Sequence, residues 1–236
     1  MGSIDSELLL LTCGEHPHGS RRPIALEGAP TVALPARPGK ADVDPVIAER
    51  RPKRLVVAGG DADLAAVLVR LLRLDRLDVE VAFLPAPGSD GARAWGLPMG
   101  DAAAELAVGG TASAVPLVRD DSGGVLVGRG EVRGMRGECY CDDVLVLRGT
   151  APRLVVAPGP GGIAVRAGRL GRLPDGRVRG VPLKATRGRG SAVGRTAQLG
   201  GEPMTVVVDG VAHPREVRRW TWYRHTTDWL LVRPHP

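Results

Sequence analysis

Residues 55–64 read Leu55-Val56-Val57-Ala58-Gly59-Gly60-Asp61-Ala62-Asp63-Leu64. The first four side chains are apolar and predict a short buried strand, and the glycine pair after them predicts a tight turn. The next apolar residues recur at helical spacing, at Leu64, Val67, Leu68, Leu71 and Leu72. A strand, a glycine turn and a helix in this order are typical of one unit of a parallel α/β sheet.

A second unit of the same kind follows in residues 79–95. Residues 79–84 predict a strand, residues 85–90 a turn and residues 92–95 a short helix. Because parallel strands end at the same edge of a sheet, we expect the turns at 59–61 and 88–90 to meet in one crevice. A further helix is predicted over 102–108, with Asp101 as its N-cap and the glycine pair at 109–110 as its end.

The rest of the chain divides into two halves of different character. Residues 8–11 and 31–34 predict further strands in the first half. Beyond residue 118 the pattern consists of short apolar runs between Gly and Pro, at 125–127, 144–147, 154–156, 163–165 and 205–208. No helix is predicted beyond about residue 115. We therefore predict a Rossmann-like α/β domain over 1–118 and an antiparallel β-rich, sandwich-like domain over 119–236.

The composition is that of a folded intracellular protein. The chain has 236 residues, of which 43% are hydrophobic and 25% charged, far from the signature of a disordered chain. Three cysteines do not indicate a disulfide framework. The apolar run at 8–11 follows Asp5 and Glu7 and is much shorter than the ~20 residues that a membrane span needs. We expect a cytoplasmic location.

Three segments resemble motifs of one enzyme family. Gly59-Gly60-Asp61 resembles the G-G-D-G-T loop of the diacylglycerol kinase catalytic family, which the NAD kinases share. The segment from Pro85 to Arg93 is similar to that family's P-x-G-T-G-N-D-x-A-R loop and is one residue shorter. Near the other end, Asp209-Gly210 resembles the closing D-G-E. The three segments occur in the family's order along the chain.

The resemblance implies a function and a set of site residues. It implies a lipid kinase that transfers phosphoryl from ATP to a lipid hydroxyl with the help of Mg²⁺. Glycine turns at strand ends suit this chemistry because backbone N–H groups approach a phosphate closely there. The implied nucleotide-binding residues are Gly59, Gly60, Asp61, Asp63, Gly88, Ser89, Asp90 and Arg93. Asp209 is the implied catalytic residue, as the base for the lipid hydroxyl.

The chain departs from the family at each motif. Ala62 and Asp63 stand where the family has Gly and Thr, so Asp63 either recruits Mg²⁺ as a ligand or repels the phosphates of ATP. Pro87 removes a backbone donor from the second loop. Val211 replaces the glutamate of D-G-E. Whether the chain is an active enzyme is left open by these changes.

Two other functions remain open beside the lipid kinase. One is a non-catalytic pseudokinase that binds a nucleotide or a lipid. The other is an anion- or nucleic-acid-binding module that uses residues 153–195, where ten basic residues accompany one acidic residue. This basic stretch also suits an anionic membrane surface, which implies peripheral membrane contact. It lacks aromatic residues for base stacking, which disfavours nucleic acid as a partner.

A zinc site is a weaker alternative. Cys13, His16 and His18 lie close together in the sequence, and Cys139 and Cys141 would have to complete the set. No pair has the C-x-x-C spacing, so we favour a polar loop after the first strand and two cysteines on one face of a later strand. Trp220 and Trp222 also share one face of a predicted strand, where core packing is favoured over a lipid-facing patch.

Overall fold

The computed structural model describes residues 8–14, 23–168 and 187–234. The strands in the first half are β1 (Leu8–Cys13), β2 (Thr31–Leu34), β3 (Arg54–Gly59), β4 (Glu80–Pro85) and β5 (Thr111–Val115). Those in the second half are β6 (Val118–Asp120), β7 (Val125–Leu126), β8 (Gly130–Cys141), β9 (Val144–Gly159), β10 (Gly162–Gly168), β11 (Ser191–Gly194), β12 (Thr196–Val208), β13 (Val211–Ala212), β14 (Val217–Arg224) and β15 (Trp229–Arg233). The α-helices are α1 (Lys40–Arg50), α2 (Asp61–Arg73), α3 (Asp90–Trp95) and α4 (Gly100–Gly109).

The first sheet has six strands in the order β2-β1-β3-β4-β15-β5. All neighbours are parallel except β15 and the edge strand β5. Leu9 and Leu11 pack into one core with α1 and α2, while Leu8 and Leu10 pack into another with α4. Because both faces are covered, the inner strands are apolar at successive positions rather than at alternate ones.

The paired units predicted around residues 55–95 are confirmed. Strands β3 and β4 are parallel neighbours, with Leu55 opposite Val81. Helices α2 and α3 follow them directly. The N-cap of α4 was predicted wrongly: it is Met99, in an extended conformation. Asp101 lies inside the first turn, where its negative charge favours the positive end of the helix dipole.

The sequence did not predict helix α1. Pro45 lies inside it, and only Val43 and Ile47 are buried, so its apolar pattern is short. An ion pair, in addition to apolar contacts, attaches α1 to α2. The Arg70 guanidinium of α2 donates to both carboxylate oxygens of Asp44, each at 2.8 Å, a bidentate pair that fixes one helix against the other.

The second sheet is antiparallel and curls around its own core. Its strand order is β11-β10-β9-β8-β12-β14-β6-β7, with β13 paired to β12. The strands predicted at 144–147 and 154–156 are parts of one long strand, β9. Trp220 and Trp222 are buried in this core, as predicted. The predicted α/β half followed by an antiparallel β-rich half is thus confirmed, and no helix occurs in the described residues beyond Gly109.

The chain crosses between the sheets at two adjacent places. Residues 116–117 lead from β5 to β6, and residues 225–228 lead from β14 back to β15. The two connections touch, because the N–H of His225 donates to the carbonyl of Leu117 at 2.7 Å. Strand β15 belongs to the first sheet although it lies far beyond residue 118. The division into domains 1–118 and 119–236 remains a prediction.

Candidate functional site

The two glycine-containing turns meet at the carboxyl ends of β3 and β4, and Asp61 joins them. One carboxylate oxygen of Asp61 accepts from the Ser89 hydroxyl. The other accepts from the N–H groups of Asp90 at 2.8 Å and Gly91 at 3.1 Å. Asp61 therefore caps the start of α3 from a different loop. The two turns thus meet at one edge of the first sheet, as expected.

The shortened second loop is a tight turn. Pro87 and Gly88 occupy its centre, Gly88 has φ +84°, and the N–H of Ser89 donates to the carbonyl of Ala86 at 3.3 Å. Proline followed by a glycine with positive φ is the pattern of a type II turn. The Ser89 hydroxyl then accepts from the N–H of Ala92 at 2.8 Å as the N-cap of α3. The turn thereby directs the start of α3 toward Asp61.

The Asp63 carboxylate lies on backbone donors from two loops. One oxygen accepts from the N–H of Gly60 at 2.8 Å, and the other from the N–H of Arg37 at 2.7 Å. Arg37 has φ +52° and precedes α1. A Cβ added at Gly59 would lie 2.7 Å from the Asp63 carboxylate, so a larger residue there would push this carboxylate from its position. An anionic group of the protein itself thus covers the glycine pair.

Asp209 holds the segment that enters the second sheet. Its carboxylate accepts from three consecutive backbone N–H groups, those of Val127, Gly128 and Arg129, at 2.8 to 2.9 Å. Asp209 has φ +47° in the turn between β12 and β13. Its carboxylate oxygens are therefore occupied by the backbone. The role of Asp209 as a catalytic base stays a prediction.

Close packing brings these parts together around two glycines. A Cβ at Gly128 would lie 2.5 Å from the nitrogen of Gly91 and 2.7 Å from the Asp61 carboxylate. A Cβ at Gly91 would lie 2.8 Å from Val127. The segment 127–129 therefore packs directly on the start of α3. The acidic groups of the two sheets also interact here, since the charge of Asp61 raises the pKa of Asp209.

Two groups at the site have raised pKa values. Burial raises the pKa of Asp209 to about 7, with a further increase from Asp61, against the lowering effect of the three backbone donors. Burial and the charge of Asp63 raise the pKa of the Cys13 thiol to about 12. Cys13 is therefore a protonated thiol at neutral pH, and the charge of Asp63 adds to this effect of burial.

The titration of Asp209 predicts a specific pH dependence of stability. The unfolded pKa is near 3.8 and the folded pKa about 7. Between these two pKa values the folded state thus binds more protons than the unfolded state. The contribution of Asp209 to the free energy of unfolding is therefore complete below pH 4 and is lost as the pH rises to 7. The free energy of unfolding of the wild type, minus that of Asp209→Asn, should fall by about 1 to 2 kcal/mol between pH 5 and 7.

Urea unfolding at several pH values measures this difference. Asp209→Asn is the matched variant because asparagine keeps one acceptor oxygen and tolerates positive φ. The other titrating groups are common to both proteins, so their effects cancel in the difference between the two free energies of unfolding. A difference that stays constant from pH 5 to 8 would show that Asp209 is ionised throughout.

The remaining predicted site residues lie at the rim of the crevice. The Arg93 guanidinium is exposed and donates to the carbonyl of Gly88 at 3.1 Å and to Asp90 at 2.6 Å. Asp90 thus pairs with Arg93 through its side chain and with Asp61 through its backbone N–H. The structure brings together all eight residues that the sequence assigned to nucleotide binding.

The zinc alternative receives no support from the described residues. Cys13 lies in the core of the first sheet, whereas Cys139 and Cys141 lie in the core of the second. His16 and His18 lie outside the described residues. No group of three or more His, Cys, Asp or Glu side chains within 8–14, 23–168 and 187–234 has the arrangement of a metal site.

Sequence reasoning missed the residues that supply the backbone of the site. They are Arg37, Gly91 and the segment 127–129. Each contributes a backbone N–H group. Almost every residue type has such a group, so the residue type does not indicate which N–H groups belong to the site. Gly128 carried a weak signal, since it stands between a predicted strand and Gly130, but nothing in the sequence paired it with Asp61.

Known structures share this architecture. A diacylglycerol kinase from Bacillus anthracis superposes with a TM-score of 0.68 at 13% identity, over 99% of this chain and 98% of that one. An NAD kinase from Archaeoglobus fulgidus in complex with ATP superposes with a TM-score of 0.54 at 14% identity, over 96% of this chain and 93% of that one. No family model matches the sequence, and no curated protein matches it either.

These comparisons define the fold of the chain. The chain has the two-sheet fold of the diacylglycerol kinases and the NAD kinases, and the resemblance of its motifs to the first of these is confirmed at the level of the fold. Identities this low establish the fold and nothing finer. No helix of the described residues is both long and apolar enough to cross a membrane.

Proposed function

We propose that this chain is a lipid-kinase-like protein that binds ATP in the crevice between the glycine turns and transfers phosphoryl to a lipid hydroxyl at a low rate. The observation that carries the proposal is the junction of the two turns by Asp61, at the carboxyl ends of parallel strands. Ligands of open α/β sheets bind at this place. A neighbour with the same fold is an NAD kinase in complex with ATP.

In this proposal the phosphates of a nucleotide lie at the start of α2. The first N–H groups of a helix have no partner within it, and those of Asp61 and Ala62 stand at this position. Arg93 lies beside this position, where Asp90 pairs with its guanidinium. When bound, ATP would supply the phosphoryl group. The protein would position it and shield it from water, which is most of the chemistry in phosphoryl transfer.

Mg²⁺ fits less well than the nucleotide. Each of the three carboxylates at the crevice accepts backbone or hydroxyl hydrogen bonds on both oxygens. Asp63 is the one that the sequence assigned as a metal ligand, and binding the ion would require it to share or leave its two N–H donors. A low rate of transfer follows from this weak metal site and from the absence of a second acid after Asp209.

A second candidate function is a non-catalytic nucleotide-binding protein. The observation that favours it is the Asp63 carboxylate on the N–H groups of Gly60 and Arg37, because an internal anion there competes with phosphate. Asp209 favours it too, since its carboxylate holds the backbone of 127–129 rather than facing a substrate.

Calorimetric titration with ATP, with and without Mg²⁺, separates these functions. We expect saturable binding at one site per chain. Transfer of labelled phosphate from ATP to diacylglycerol in mixed micelles then identifies the kinase, and binding without transfer identifies the second candidate. The Asp61→Ala variant is the control for contaminating kinases. Absence of ATP binding in both the wild type and Asp63→Asn would contradict both functions.

A further inference from the structure

A cavity of about 390 Å³ lies beside the two connections between the sheets, away from the glycine turns. Its wall consists of Trp95, residues 111–116, Pro160, Arg224, Asp228 and Arg233. The volume lies within the range of small-molecule sites in proteins. Helix α3 links the cavity to the crevice, because it begins at Asp90 and ends at Trp95. Six helical residues span about 9 Å.

The charged groups of this cavity favour an anion. Arg233 is half-buried on β15, and its guanidinium has no hydrogen bond or ion pair within the described part of the chain. Arg224 pairs with Asp228 through one nitrogen only, at 3.1 and 3.2 Å. The single acid is therefore already paired, and the cavity wall carries a net positive charge. Partial burial of an unpaired guanidinium costs free energy that an anionic ligand would recover.

The rest of the cavity wall consists of small or apolar side chains and of backbone atoms. Residues 111–116 form the edge strand β5 and the start of the connection after it, and their side chains are small or apolar apart from two hydroxyls. β5 pairs with β15 on one side only, within the described residues. Trp95 and Pro160 add apolar surface. A ligand with an apolar body and a charged head matches this division of the wall.

We propose that the cavity binds an amphipathic anion, with its head between Arg224 and Arg233 and its apolar part along Trp95 and residues 111–116. Arg224 belongs to the second sheet and Arg233 to the first. The head would thus connect the two sheets where the chain crosses between them. This site is separate from the crevice, and its occupation does not depend on nucleotide binding.

Decyl phosphate below its critical micelle concentration is a suitable probe. Inorganic phosphate and 1-decanol, which represent its charged head and its apolar chain, are the comparison ligands. Calorimetry should show one decyl phosphate per chain, bound about tenfold or more tightly than either half. Arg233→Gln should weaken decyl phosphate binding about tenfold. The matched control is Arg218→Gln, which removes the same charge from an exposed position on β14 outside the cavity. It should leave the affinity unchanged.

The indole N–H signals of the tryptophans in NMR spectra provide a second readout, which does not depend on removing either arginine. The chain has 4 tryptophans, and the signal of Trp95, assigned by its loss in Trp95→Phe, should move most during the titration. Equal affinity for inorganic phosphate would overturn the amphipathic ligand, and equal affinity for 1-decanol would overturn the anionic one. Equal losses in Arg233→Gln and Arg218→Gln would overturn the site.

Discussion

Replacement of Asp61 by alanine should strongly destabilise the protein. The variant leaves three donors without an acceptor: the Ser89 hydroxyl and the N–H groups of Asp90 and Gly91. Each lost hydrogen bond to a charged acceptor at a largely enclosed position costs about 1 kcal/mol or more, so we expect a loss of about 3 to 4 kcal/mol. Urea unfolding followed by circular dichroism measures it.

The loss of global stability should be accompanied by easier local opening at the start of α3. Amide exchange at Asp90 and Gly91 should accelerate in Asp61→Ala, because these N–H groups lose their acceptor while the rest of α3 keeps its own hydrogen bonds. Asp101→Ala is the matched control, since it removes an exposed carboxylate from the first turn of α4. We expect its effect to stay below about 1 kcal/mol. Similar losses in the two variants would contradict the capping role of Asp61.

Local patterns explain how much of the fold was predictable. Strands β3 and β4 are apolar at successive positions and end at glycine or proline, so their limits and their type follow from the residues themselves. Helix α2 has a continuous apolar stripe. Because consecutive strand–helix units most often form neighbouring parallel strands, the meeting of their turns at one edge was also predictable.

The elements that were missed depend on distant parts of the chain. Helix α1 has few buried side chains, and its bidentate link to Arg70 spans 26 residues. Strand β9 continues through Arg148 and Gly149, which break the apolar pattern, because β8 pairs with it along nearly its whole length. Strand β15 returns to the first sheet, and its own sequence gives no indication of which sheet it joins.

The same dependence on distant parts of the chain limited the prediction of the site even more than that of the fold. The sequence identified Asp61, Asp63 and Asp209 as chemically important residues. It could not show that each carboxylate binds backbone N–H groups, at separations in the chain of 26 to 82 residues. Repulsion between phosphate and Asp63 was predicted as an effect of charge alone. The structure adds that Asp63 occupies donors at the glycine turn, which makes its competition with phosphate geometric as well.

Replacement of Ala62 by glycine together with Asp63 by threonine should therefore raise the affinity for ATP. The change restores the two family residues, removes one negative charge and releases the N–H groups of Gly60 and Arg37. A carboxylate about 4 Å from a phosphate costs about 4 kcal/mol at an intermediate dielectric, and screening leaves about half of that. We expect a gain of about 30-fold in affinity, measured by calorimetry in the absence of Mg²⁺.

Asp42→Asn is the matched control, because Asp42 accepts from the N–H of Gly39 at the start of α1 just as Asp63 accepts from Gly60 at the start of α2. It removes the same charge from a similar helix terminus and should leave the affinity for ATP within about twofold of the wild type. If Asp63 instead serves as the Mg²⁺ ligand, the double variant will bind ATP more weakly in the presence of Mg²⁺. Unchanged affinity under both conditions would show that the crevice does not recognise phosphate through this loop, since neither the loss of the charge nor the release of two donors would then matter.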